Sequence, residues 1–479
     1  MRRAKIVATL GPALDDPERL RAAIAAGIDV VRLNFSHGTR EEHQDRLTLA
    51  RDIGASLGRN VGSLGDLQGP KIRLGVLPEE GVELRDGGEV VLVAGRNELD
   101  DNDDGAGTPV LPVVYEQLAD DVEPGALILL DDGLLRLVVS RVEGRRVSAR
   151  VVAGGTAKTR KGVNLPGVDV SAKSLTDKDL EDVRTMVEIG VDWIALSFVR
   201  RPEDVIEVRD MVHALGGQQP IVAKLERPEA IENLQAIIDV SDAVMVARGD
   251  LGVEVGPERV PAIQKQIIDS ANRAGRPVIT ATEMLDSMIR SPRPTRAEAS
   301  DVANAIFDGT DAVMLSGETA AGRFPVEAVR TMARIIEVAE SSAERVHPVP
   351  PVTGTELQRV VCKAAVQIAA DVEAKAILVY SLTGASAQLV SKFRPPHPVI
   401  GLTPAQEPLR RFALMWGTAG AIVPTKDHSI DLITAAEEVC LEHGYAVHGD
   451  AIVVVSGIPG GHGGTNRVMV HRLGDTPHG

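Results

Sequence analysis

The chain has 479 residues, too many for one ordinary core, so about two to four domains are expected. It carries 52 Lys and Arg against 68 Asp and Glu, a net charge of −16, which excludes general binding to nucleic acid or an anionic membrane; any phosphate must be held by a few local cations. Aromatics are only 2% while hydrophobic residues reach 44%, so the cores are aliphatic, as buried parallel strands are.

Cys362 and Cys440 are the only cysteines. That excludes a disulfide scaffold and fits a reducing compartment, so the cytoplasm is expected. The opening MRRAKIVATLGP is basic but runs straight into a strand pattern, without the long apolar core of a secretory signal. No stretch reaches the about 20 apolar residues that a membrane-crossing helix needs.

In chain order, KIVATLG (5–11) reads as a strand and ERLRAAIAAG (18–27) as a helix closed by Gly27. DVVRLNFS (29–36) is a second strand, followed by a helix to about Leu57, and VGSLGDLQG (61–69) is a third. From about 71 to 160 the rhythm changes to short alternating segments punctuated by Gly, Asp and Pro, the mark of an inserted β domain. Its DDNDDGAG stretch (100–107) reads as a solvated acidic loop, with a metal site as the weaker alternative.

The α/β rhythm resumes at TDKDLEDVRTMVEIG (176–190). Strand patterns follow at 192–198, 220–226, 242–250, 277–284 and 311–319. With the first three they make eight, the count of a (β/α)8 barrel. HPVPPVTGTE (347–356) is a linker, and beyond it KAILVYS, PVIGLT, AGAIVP and DAIVVVSG point to an α/β domain with about five parallel strands. The expected division is 1–70 and 163–345 for the barrel, 71–162 for the inserted domain and 346–479 for the last.

Barrel chemistry belongs at the C-terminal ends of strands. There the apolar patterns turn polar: Arg32, Asn34, Ser36 and His37; Asp66; Lys224 and Glu226; Arg248, Gly249 and Asp250; Thr280, Thr282 and Glu283; Ser316 and Glu318. A lone Ser, Thr or Asp there more often caps the next helix. Lys224 is different, because a Lys inside an apolar strand is buried only when paired. Glu226, two residues on, faces the same way. Glu226 and Asp250, from neighbouring strands, suit Mg²⁺, which takes one or two carboxylates and keeps several waters. Ringed by Arg32, Arg73 and Lys224, such an ion fits phosphoryl transfer, where positioning and charge stabilisation do most of the catalysis. No Walker A motif or kinase Gly-rich loop is present.

The motifs KIVATLGPA, RLNFSHG, DLQGPKIR, KGVNLPG, AKLERPEAIENL, VARGDLGVE, ATEMLDSMI and MLSGETAAGRFPVEAV resemble, in order, those of the pyruvate kinase family, across the whole chain. The resemblance implies a barrel, an inserted β-barrel lid and a C-terminal regulatory domain, in a homotetramer. It implies transfer of the phosphoryl group of phosphoenolpyruvate to ADP, giving pyruvate and ATP, with Mg²⁺ or Mn²⁺. Arg32 would grip the substrate phosphate and Lys224 the transferring group and enolate. Glu226 and Asp250 would hold the metal, and Gly249, Asp250 and Thr282 the substrate carboxylate, at the helix following RGD. Asn34, Phe35, Ser36, His37, Arg73 and Lys161 would face the nucleotide; Thr282 and Ser316 are candidates for the proton path. Glu283 stands where the family often has Gln.

A monovalent-cation site would fall on Asn34, Ser36, Asp66 and the carbonyl of Leu67. Potassium-dependent members carry Thr-Lys at Leu67-Gln68 and Glu at Lys71. This chain resembles the potassium-independent ones, so K⁺ is expected to be dispensable, with Lys71 as a surrogate cation beside Asp66. In the last domain, Ser381, Thr383 and Ser386 surround Gly384 ahead of a helix, an anion-site pattern, with a Gly-rich loop (456–466) able to cover it. A sugar phosphate or AMP is the expected effector. The competing readings are a catalytically silent metabolite-binding relative and another barrel enzyme acting on phosphoenolpyruvate or pyruvate.

Overall fold

The computed structural model describes residues 2–99, 107–168, 170–171, 175–342, 352, 356–425, 429–457 and 464–475. Most of the acidic loop, most of the linker and the centre of the Gly-rich loop therefore lie outside the described residues.

Eight parallel strands close into a barrel. They are β1 (Lys5–Thr9), β2 (Val30–Asn34), β3 (Gly62–Asp66), β4 (Trp193–Leu196), β5 (Ile221–Leu225), β6 (Ala243–Ala247), β7 (Val278–Ala281) and β8 (Ala312–Leu315). Each pairs with its sequence neighbours, and β1 closes the ring on β8. The aliphatic composition acts here: β1, β3, β4, β6, β7 and β8 are buried along their whole length. Thr39, Thr176 and Thr295 each start a helix with a reciprocal capping box, which fixes where the chain turns back along the barrel.

The inserted domain is a six-stranded, largely antiparallel sheet with its own aliphatic core. Its edges are Val110–Val113 and Val163–Asn164. Isolated bridges from Leu74 to Val113 and from Arg73 to Gly162 tie these edges together, so the sheet curls towards a small barrel. The stretch that makes the bridges is the outgoing connection from β3.

The last domain is a five-stranded sheet built from β9 (Ile377–Tyr380), β10 (Val399–Thr403), β11 (Thr418–Ile422), β12 (Ala451–Gly457) and β13 (Thr465–Arg472), in the order β11-β10-β9-β12-β13. Four strands are parallel, but β13 runs antiparallel to β12. The expectation of an all-parallel set is corrected by this edge strand, whose mixed TNRVMVHR has only the short apolar run Val468-Met469-Val470 between polar residues.

Two strand expectations also change. The sixth strand stops at Ala247, and Arg248–Val255 is already helix, so Gly249 and Asp250 lie in its first turn; the helix contains RGD and does not follow it. The eighth stops at Leu315, and Gly317–Ala320 is a short helical turn. In both places polar and glycine residues end the apolar run, as the chain leaves the barrel wall.

Candidate active site

The C-terminal mouth of the barrel is a compact ion network. Arg32, on β2, places Nε 2.7 Å from Asp66 Oδ2 and donates from Nη1 to Thr9 Oγ1 at 3.0 Å. Lys224, on β5, lies 3.2 Å from Asp66 Oδ1 and 3.0 Å from Glu226 Oε1, and donates to Ser197 Oγ at 2.6 Å. The other Glu226 oxygen accepts the Phe198 backbone N–H at 2.7 Å. Alternation along β5 is why Lys224 and Glu226 meet. The same-face expectation therefore holds.

Burial and charge oppose each other across this group. Burial pulls the Lys224 ammonium down, but Asp66 and Glu226 outweigh it and hold it well above an ordinary lysine. Burial pushes Asp66 up, yet Lys224 and Arg32 bring it below the usual carboxylate range. Glu226 goes the other way. Burial raises it, Lys224 only partly offsets that, and the negative charge of Asp250 adds to the rise. Asp250 therefore acts on Glu226 as a like charge beside a burial cost that the Lys224 ammonium only partly offsets.

Asp250 is reached by Lys71, whose Nζ lies 3.1 Å from Oδ1 and 3.8 Å from Asp132 of the inserted domain. The expectation that Lys71 pairs with Asp66 is corrected. Both oxygens of Asp66 are engaged by Arg32 and Lys224, so the Lys71 stem, just past the Gly69-Pro70 turn, reaches the free acid across the cleft. A cavity of about 810 Å³ opens there, lined by Lys71, Asp132, Gly249, Asp250, Thr282 and Glu283 among others. Arg32, Lys224 and Glu226 lie outside its lining.

The remaining candidates scatter more widely. Asn34 Oδ1 accepts the Ser36 backbone N–H at 3.2 Å, shaping the loop after β2. Phe35 is buried, stacked on His43 with centroids 4.2 Å apart, so it offers a ligand only its backbone. His37 is exposed. Arg73 donates to the Arg160 carbonyl at 3.0 Å, and Lys161 pairs with Asp131 at 2.8 Å, so both cations sit where the chain enters and leaves the inserted domain. The Leu67 carbonyl accepts Ser197 Oγ at 2.6 Å. Ser316 presents its N–H to the buried Glu318 carboxylate at 2.7 Å. Glu283 is exposed, and nothing around it explains a Glu in place of Gln.

In the last domain, Ser381 Oγ accepts the Gly384 N–H at 2.9 Å, and Gly384 (φ 94°) opens the helix Ala385–Lys392. Ser386 is turned inward against Thr465 and Gln358, so its hydroxyl is already engaged. Thr383 is exposed beside it.

Sequence reasoning missed Thr9 and Ser197. They end β1 and β4, the two strands whose polar ends were passed over, and each holds one of the two central cations. The signal was the same strand-end rule that found the others.

The donor set fits a divalent ion. Glu226 and Asp250 offer hard oxygens, and each is at present matched by a single ammonium. Among the described residues no cluster of three or more His, Cys, Asp or Glu could hold a metal, so this pair would rely on water and substrate oxygens. A barrel whose mouth combines two carboxylates, two buried cations and an overhanging β domain has the makings of a phosphoryl-transfer enzyme.

The comparisons with known proteins agree. The family model described as pyruvate kinase, barrel domain, matches residues 1–329, and that described as pyruvate kinase, alpha/beta domain, matches residues 359–471. "Pyruvate kinase 2" of Synechocystis sp. is 46% identical over 475 residues, 98% of this chain and 79% of its own length. "Pyruvate kinase" of Staphylococcus aureus is 42% identical over 482 residues, 99% of this chain and 81% of its own length. The chain is a phosphotransferase and belongs to the pyruvate kinase family. Among the described residues no helix is long and apolar enough to cross a membrane.

Proposed function

We propose that this chain transfers the phosphoryl group of phosphoenolpyruvate to ADP, giving pyruvate and ATP, in the cytoplasm. The observation that carries the reading is Lys224, held between Asp66 and Glu226 at the end of β5. Asp66 and Glu226 fix this ammonium in place and, with the charge of Asp250 nearby, keep it charged, so it meets the negative charge of the transferring group and of the enolate without reorganising. Arg32, anchored by Asp66 and Thr9, grips the substrate phosphate. The Gly249 and Asp250 N–H groups, in the first turn of their helix, receive the substrate carboxylate together with Thr282. Glu226 and Asp250 would hold Mg²⁺ or Mn²⁺, which would supply positive charge against the negative charge spread over the phosphoryl oxygens. Asn34, Ser36, His37, Arg73, Lys161 and the Phe35 backbone face the nucleotide. Thr282 and Ser316 flank the path of the proton to the enolate carbon. The inserted domain, 71–162, acts as the lid, between barrel segments 1–70 and 163–345, with the regulatory domain at 346–479.

Potassium is not required in this reading, because Lys71 brings its own charge to the mouth. A coupled assay for pyruvate from phosphoenolpyruvate, ADP and Mg²⁺ tests the whole assignment. Robust ADP-dependent pyruvate release is expected. No turnover, with phosphoenolpyruvate binding retained, would instead indicate a metabolite-binding protein, and ADP-independent consumption another barrel chemistry.

Regulation is assigned to the last domain of a homotetramer. Thr383, Gly384 and the first turn of Ala385–Lys392 make the anion cradle, with Ser381 fixing the loop and Ser386 buried behind it. A sugar phosphate or AMP is the expected ligand. Titrating both against the phosphoenolpyruvate saturation curve, with Ser381→Ala alongside, is the test. An unmoved curve with either ligand rejects the cradle.

A further inference from the structure

β6 and β7 stay in register to the pair Ala247–Ala281, where the parallel ladder ends. Beyond it Thr282 and Glu283 take φ of 75° and 55°, two consecutive non-glycine residues in the left-handed region. Such backbone is costly, most of all for a β-branched residue, and persists only where the surroundings impose it. Arg248 is placed to impose it. Its Nε donates to the Ala281 carbonyl at 3.1 Å and its Nη2 to the Thr282 carbonyl at 2.7 Å, so the planar fork continues the ladder that the backbone has given up. Nη1 is anchored on Asp301 at 2.7 Å and Gln264 at 3.4 Å, and Nη2 also faces Met284 Sδ at 2.8 Å.

A guanidinium has five N–H groups, and those contacts occupy all of them. A cation at the wall of an active-site cavity would ordinarily be read as a phosphate ligand. Arg248 has no donor left for one. What it controls is the position of Thr282, whose methyl group lies 2.7 Å from where a Cβ on Gly249 would stand. The loop after β7 and the helix after β6 are therefore packed together at the point where both meet the cavity.

We infer that Arg248 is a positioning residue, which shapes the carboxylate pocket by holding the left-handed turn that seats Thr282 over Gly249. The inference rests on the reading above that Gly249, Asp250 and Thr282 receive the substrate carboxylate. Lysine cannot replace it, since one ammonium does not reproduce a bidentate fork with a third anchored arm.

The test compares Arg248→Lys, Thr282→Val and the double variant in the full chain, by steady-state kinetics and thermal melting. Arg248→Lys is expected to raise the KM for phosphoenolpyruvate at least about tenfold while the KM for ADP moves less than about twofold. The double variant is expected to stay within about threefold of Thr282→Val alone in kcat/KM, because both remove one positioned group. An unchanged KM, a parallel rise for ADP, or losses that multiply would overturn the inference. Wild-type kinetics for Thr282→Val would instead reject the carboxylate reading, and the inference with it. If Arg248→Lys does not fold, Asp301→Ala removes the anchor alone. A rise of about threefold in the same KM is expected, and none would count against the role.

Discussion

Two buried lysines sit at opposite ends of the same barrel and behave in opposite ways. Lys224, at the C-terminal mouth, faces Asp66 and Glu226, with Asp250 nearby, and is held above its ordinary value. Lys392, at the end of the helix Ala385–Lys392, is pressed against the residues just before β8. It lies 2.7 Å from Asp311, which it shares with Arg394 at 3.0 Å, and it also donates to Asn272 Oδ1. Burial pulls it down to about 8, more than Asp311 restores. Charge balance explains the contrast. The mouth has acids to spare and the domain interface has cations to spare. A surplus of buried acid beside a cavity can accept a further cation; a surplus of buried cation sealed between domains accepts nothing and only fixes how the domains dock. Burial of a charged pair therefore does not by itself mark a site, whereas the sign of the imbalance does.

The largest break in this comparison comes from Lys224→Met. The enolate and phosphoryl charge lose their fixed cation, and kcat is expected to fall by about a thousandfold or more, roughly 4 kcal/mol of barrier. Divalent metal binding, followed with Mn²⁺ by its magnetic resonance signal, should persist because Glu226 and Asp250 remain. Turnover above about a tenth of wild type would remove the role given to Lys224. At the other end, Asp311→Asn leaves Lys392 and Arg394 buried without their carboxylate. A loss of about 3–5 kcal/mol in denaturant unfolding is expected, with kcat per folded molecule little changed. Equal loss at both readouts would mean that the interface is part of the catalytic machinery.

Lys392→Met should cost much less, since Arg394 still neutralises Asp311 and the buried ammonium is itself unfavourable. Its signature is in pH. The folded value near 8 lies below the free value of 10.5, so between them the unfolded chain holds a proton that the folded chain has released. Stability contributed by this group therefore rises with pH across that window. The gap between wild type and Lys392→Met is expected to widen by about 1–3 kcal/mol from pH 8 to 10. A gap independent of pH would mean that Lys392 stays charged throughout.

The strand count and the polar strand ends were legible because period and position are local properties. Arg32, Lys224, Glu226 and Asp250 could be picked out this way, one strand at a time. Residues that hold others were harder. Thr9 and Ser197 look like ordinary strand ends, and Arg248 read as one more cation until the fork to Ala281 and Thr282 was visible. The partner of Lys71 depends on how the inserted domain leans over the barrel, which no short motif encodes. Lys392 and Asp311 are 81 residues apart, so their pairing exists only after two domains have docked. Phe35 shows the limit of a motif read by side chain: its ring is buried against His43, so only its backbone is available for the nucleotide role the motif suggests.

The smallest effect concerns Lys71, the cation that occupies the mouth's spare acid. Its side chain is 24% exposed and lies between Asp250 and Asp132, so it is the least buried of the three cations Arg32, Lys71 and Lys224. A compact ammonium on a flexible stem can stand in for an ion of the same charge, and no free ion need be ordered when it does. Its place on Asp250 instead of Asp66 means that this role needs only a positive charge in the mouth, within reach of more than one acid. Wild type is therefore expected to be nearly fully active in Mg²⁺ buffer without potassium. Lys71→Glu deletes that charge and adds an acid to a mouth already rich in them, so it should become dependent on added K⁺. A wild-type gain of more than about tenfold on adding K⁺, ~1.4 kcal/mol, would show that Lys71 does not supply the missing charge. A Lys71→Glu variant indifferent to K⁺ would show that the acids at the mouth are already balanced by Arg32 and Lys224 alone, and the contrast with the cation-rich interface would lose its strongest support.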